Sequence, residues 1–137
     1  MEFNQYNTTV QQWIHTVLEN RETNADVVLE CCRDIIAYGR ETDDPKLMGF
    51  GFFYGGEIYY ELNDGAHFFH MMTEALTYLD RAEEWELVVR CYNFLGIASM
   101  SRGNPSLALD YYMNGLKDSD TYAVSYTHLT LPTNSLV

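Results

Sequence analysis

The chain has 137 residues, 47% of them apolar and 15% aromatic, which predicts one globular domain able to bury a core rather than a disordered segment. Its formal charge of −12 repels phosphate backbones and anionic lipid, so direct binding of nucleic acid or membrane by this segment is not expected, whereas a basic peptide or basic partner face would be drawn to it. The opening "MEFNQYNTTV" has neither the basic region nor the apolar run of a signal peptide, and no apolar stretch has bilayer-spanning length.

Taken in chain order, apolar residues recurring at three- and four-residue steps predict helices near 5–20, 24–39, 45–62, 65–80, 83–101 and 105–117. Local chemistry punctuates them. Asn24 can cap the second. Asp44-Pro45 and Asn104-Pro105 each place a capping side chain before a proline in the first turn. Asn63-Asp64-Gly65 and Arg102-Gly103-Asn104 are turn clusters. Phe68, Met72, Ala75 and Leu79 form one apolar stripe, and Leu107, Tyr111 and Leu116 mark another helix.

The sequence also repeats itself. "YGGEIYYELNDGAHFFHMMTEAL" from Tyr54 lies above "FLGIASMSRGNPSLALDYYMNGL" from Phe94 at an offset of 40 residues. Gly56 falls on Gly96, Phe68 on Ala108, Met72 on Tyr112, Ala75 on Gly115 and Leu76 on Leu116. One step earlier, Val28, Cys32, Ile35 and Ile36 fall on Phe68, Met72, Ala75 and Leu76. The expected fold is therefore all-α: three helix–turn–helix repeats near 5–40, 45–80 and 83–117, stacked as an α-solenoid within a domain spanning 1–120.

In "YNFLGIASMSRGNPSLALDYYMNGLKDSD", Tyr92, Leu95-Gly96, Gly103, Ala108, Tyr112 and Gly115 stand at the spacing of a tetratricopeptide repeat, and the segment resembles that family. The middle copy departs from the pattern, with Asn63 for the turn glycine and Phe68 for the usual alanine. The period of 40 also exceeds the family's, about 34. The extra residues are expected around "LDRAEEWELVV", lengthening the helix ends there. The resemblance implies that Gly56, Ala75, Gly96, Gly103, Ala108 and Gly115 serve repeat packing and turning, small residues permitting close helix approach. It also implies that the first helix of each repeat lines a concave groove, which selects Phe53, Glu57 and Tyr60 in the middle copy and Arg90, Asn93, Ile97 and Met100 in the last. Asn93 would grip a peptide backbone, Arg90 would offer donors beside it, and Phe53 and Tyr60 would be aromatic anchors.

The implied partner is a protein or peptide, including the chain's own downstream domain or a second copy. No cofactor is implied. "EEWELVVRCYNFLGIASMSRGNPSLALDYYMNGLK" is further similar to the amino-terminal regions of bacterial signalling proteins, many of which end in a diguanylate cyclase domain. A peptide-responsive transcriptional or phosphatase regulator and a free-standing adaptor are the alternatives. The stretch 124–137 has no Asp, Glu, Lys or Arg, and "VSYTHLTLPT" is similar to a translated sequencing-library adaptor. It is expected to be a non-native or disordered tail that replaces downstream sequence carrying the output domain.

Other sites are weaker by their own chemistry. His67, His70 and Glu74 share a helix face but have no further ligand in view, so no metal is expected. Cys31, Cys32 and Cys91 are an odd set without a disulfide framework, which fits a reducing cytoplasm, and Cys32 falls at a packed position. Gly49, Gly51, Gly55 and Gly56 lie along a helix rather than in a phosphate-binding loop, and no catalytic set stands out.

Overall fold

The 40-residue offset arises from a shorter unit of 20 residues, visible in the turns. A computed structural model describes residues 1–121, with side chains described through residue 117. Its helices are α1 (Thr8–Asn20), α2 (Ala25–Glu41), α3 (Pro45–Glu61), α4 (Gly65–Arg81), α5 (Trp85–Ser101) and α6 (Pro105–Thr121). No strand occurs among the described residues, which are all-α as their periodicity requires. From α2 on, every helix has 17 residues. The length beyond the tetratricopeptide spacing is thus spread over all these helices and is not confined to the region around Arg81. The tail expectation for 124–137 lies outside the described residues.

Left-handed backbone recurs every 20 residues, at Asp43 (φ 52°), Asn63 (φ 61°), Glu83 (φ 59°) and Gly103 (φ 76°). Around three of these, paired bonds close the helix end. The amide of Asp44 donates to the Gly39 carbonyl and that of Asp43 to Arg40. Asp64 and Asn63 do the same to Tyr59 and Tyr60, and Asn104 and Gly103 to Ser99 and Met100. These are Schellman turns, which satisfy the last carbonyls of one helix while the next residue caps the following one. Asp44, Asp64 and Asn104 accept side-chain cap bonds from the amides of Leu47, His67 and Leu107. Asn7 and Asn24 do so for Val10 and Val27.

The turn between α4 and α5 departs from the pattern. It places a glutamate in the left-handed region and follows it with Glu84, whose side chain makes no cap bond. A left-handed residue with a Cβ is strained by about 1 kcal/mol or more. Glu83→Gly is therefore expected to raise stability by about 0.5 kcal/mol, net of the extra freedom glycine gives the unfolded chain, and Gly103→Ala to lower it by about 1 kcal/mol. Urea denaturation of the two variants checks the opposed signs.

The described chain forms two compact units, Met1–Ala82 and the part from Glu83 on. In the first, α1 packs on α2, α2 on α3 and α3 on α4, the sequence-order packing of a solenoid-like helical repeat. The centre is α3, where every residue from Leu47 to Ile58 is buried. A helix apolar on all sides has to be enclosed on all sides, and its glycines let both neighbours close in. A Cβ on Gly51 would stand 2.6 Å from Cγ1 of Ile36 on α2, and one on Gly49 would stand 2.6 Å from Cδ2 of Leu79 on α4. A Cβ on Gly56 would reach Cε of Met72 at 3.0 Å. In the second unit, α5 and α6 form a hairpin in which the Tyr112 ring lies over Gly96, 2.8 Å from where a Cβ would stand.

The α3 glycines give a sharp pair of outcomes. At Gly51 an added methyl meets a branched side chain and also the Cys32 carbonyl oxygen at 3.1 Å, which cannot move freely. At Gly55 its only close neighbour is the mobile end of Met71, with Cβ of Cys32 at 3.9 Å. Gly51→Ala is expected to cost about 1–3 kcal/mol. Gly55→Ala is expected to be neutral or to gain up to about 1 kcal/mol from helix propensity. Thermal melts of the two proteins decide this.

Candidate functional site

Residues at steps of three and four share a helix face, so Phe53, Glu57 and Tyr60 make one stripe of α3, and Arg90, Asn93, Ile97 and Met100 make one of α5. The first stripe belongs to the unit Met1–Ala82 and the second to the unit beginning at Glu83. The residues within each stripe are brought together.

Along α3 the stripe runs from core to surface. Phe53 has no exposed surface and meets the Tyr54 ring edge-on at 5.0 Å. Tyr60 is 37% exposed and tilts on Phe68, with ring centres 5.4 Å apart. Between them the Glu57 side chain is only 8% exposed, and its charge is matched by a residue that sequence spacing did not indicate. Arg21, the residue after α1, donates from Nε to Oε1 at 2.8 Å and from Nη2 to Oε2 at 2.6 Å. Its guanidinium carbon lies 5.0 Å from the centre of the Tyr54 ring. This is a two-pronged, charge-assisted pair with a ring beneath it. Burial alone would lower the pKa of Arg21, but the bond to Glu57 and the charge of that carboxylate outweigh it and raise the value. No sequence signal links Arg21 to Glu57, which lie 36 positions apart on elements that are not consecutive.

Along α5, Arg90, Ile97 and Met100 are half-buried. Asn93 is buried, and its Oδ1 has no hydrogen-bond partner among the described residues. A buried amide oxygen is nearly always paired, so an orphan of this kind invites a functional explanation.

The remaining residues singled out in the sequence have structural surroundings. Gly56, Ala75, Gly96, Ala108 and Gly115 are buried, and Gly103 is the exposed turn residue with nothing near its missing Cβ. His67 bonds to Oδ2 of Asp64 at 2.8 Å and stacks on Tyr59, whereas His70 meets the edge of Phe52. The Asp64 carboxyl is held below its ordinary range chiefly by the His67 amide, with desolvation opposing and the His67 imidazole adding to the lowering. Burial pushes the thiols of Cys32 and Cys91 far up, so both stay protonated, and it also raises half-buried Cys31 beside Asp34 and Glu30. No helix among the described residues is long and apolar enough to cross a membrane. No family model, curated protein or solved structure matches the chain.

Proposed function

We propose that this chain is a peptide- or protein-binding module of tetratricopeptide-like type, which holds a partner segment against the α5 stripe. The observation that carries the reading is the buried, unpartnered Oδ1 of Asn93. A partner's backbone amide would satisfy it, Arg90 three residues away adds donors for a carbonyl or carboxylate, and half-buried Ile97 and Met100 supply apolar contact. The charge of −12 favours a basic partner segment. The resemblance of the stretch from Glu83 to Lys117 to bacterial signalling proteins supports a sensor or scaffold role beside a diguanylate cyclase. A cyclase-type motif encoded next to this segment in an uninterrupted gene would bear that out.

An orphaned amide should trade stability for binding. Asn93→Leu replaces it with an apolar group of similar shape and is expected to leave stability unchanged or raise it by about 1 kcal/mol. Binding to the best ligands of an immobilised peptide library should fall about tenfold or more, as one lost, buried hydrogen-bonded contact implies. Adding Arg90→Ala should weaken it further with helicity intact by circular dichroism. Unchanged affinity in the double variant would remove both residues from the site.

A further inference from the structure

The pair between Arg21 and Glu57 has the composition of a ligand site with its ligand already in place. Two carboxylate oxygens receive one planar guanidinium, and an aromatic ring lies under it. That combination suits arginine and not lysine, whose single ammonium cannot meet both oxygens in plane or stack. We propose that Glu57 and Tyr54 form an arginine-recognition pocket, closed in this structure by Arg21, and that an arginine side chain of a partner peptide exchanges with it. This rests on the peptide-binding reading above and names the chemistry of the partner.

Three observations carry the exchange. Glu57 is more than nine-tenths buried and lies one helical turn from the exposed ring of Tyr60, so a peptide held at Tyr60 would lie beside the pocket. The Arg21 side chain is 28% exposed, so solvent reaches part of it. Arg21 also belongs to the most lightly built corner of its unit. It follows α1, which at 13 residues is the shortest helix among the described residues and buries only Val10, Ile14 and Val17. The turn after α1 has no left-handed residue, unlike the turns that follow α2 to α5. An incoming arginine keeps Glu57 paired throughout, so exchange never strands a buried charge. The strongly negative field draws such a segment in.

The test uses the full wild-type chain, labelled with nitrogen-15 in arginine, and two probes of equal charge, oligo-arginine and oligo-lysine. Oligo-arginine is expected to move the Arg21 Nε–H resonance from a protected position to that of a free side chain. It should also bind about tenfold more tightly than oligo-lysine at physiological ionic strength, since lysine offers neither the fork nor the flat contact with the ring. Glu57→Gln should abolish that preference while helicity is retained. As a second arm, methylguanidinium should raise the melting temperature of Arg21→Ala and not that of the wild type. Equal affinity for the two probes, or an Arg21 signal that stays protected at saturation, overturns the proposal. Peptides from the library that still need Asn93 would then leave the binding-module reading standing, and loss of that dependence alone would sink the module reading without touching the pocket.

Discussion

Arg21→Ala is expected to destabilise the chain by about 3 kcal/mol, the lower end of the range for breaking a buried ion pair from one side. The reason is the partner left behind. Glu57 has a side chain 8% exposed, and without the guanidinium its carboxylate has lost two charge-assisted bonds and cannot recover them from water. The partial exposure of Arg21 (28%) lets some solvent reach the vacated site, which places the loss at the low end. The matching double variant separates the pair from its parts. Arg21→Ala with Glu57→Gln removes the stranded charge and should recover about half of the loss, and urea denaturation of the four proteins gives the coupling directly. Arg21→Lys should fall between, since an ammonium supplies charge without the two-pronged fit or the stacking on Tyr54. The pKa of Arg21 is raised, so its contribution is fully present below the ordinary guanidinium value and is lost only as pH climbs past it. Melts between neutral and mildly basic pH should therefore show no step from this pair.

The features that were legible in the sequence are those whose causes are local. Asp44-Pro45 and Asn104-Pro105 start α3 and α6 where the cap rule places them, and the Asn63-Asp64 turn closes α3 with the bonds its residue types favour. The all-α fold follows from that punctuation and from apolar spacing. The 20-residue step was harder to see because the left-handed position is filled by four different kinds of residue or context, Asp43, Asn63, Glu83 and Gly103, so no single letter marks it. The glycines of α3 lie along a helix, as the sequence predicts. That they face α2 at one residue and α4 at another depends on which neighbours arrive, and no pairwise signal in one sequence carries that. The site was legible only as stripes. Register transfer finds residues that share a face, such as Phe53 with Glu57. It does not say which of them the rest of the unit covers, nor that Arg21 reaches Glu57 from the end of α1.

That limit makes Phe53 the residue at which packing and recognition separate most cleanly. With no exposed surface and an edge-on contact to Tyr54, its ring is part of the unit's interior. Phe53→Ala is expected to cost about 3–5 kcal/mol, from lost burial plus the cavity that stiff neighbours cannot refill. Phe53→Leu, closer in volume, should cost about 1.5 kcal/mol or less. Tyr60 tests the opposite end of the same stripe. It is 37% exposed and its ring is tilted on Phe68, so Tyr60→Ala should change stability by about 1 kcal/mol or less, the range of a surface aromatic contact. Of the two rings, only Tyr60 offers surface to a partner in the free protein. A binding assay paired with a denaturation curve for each variant therefore has a definite expected pattern: Phe53→Ala lowers binding only in proportion to the fraction unfolded, while Tyr60→Ala lowers it in a fully folded protein. If Phe53→Ala stays folded and binding alone is lost, α3 opens when a partner arrives, and the buried ring is an anchor held in reserve.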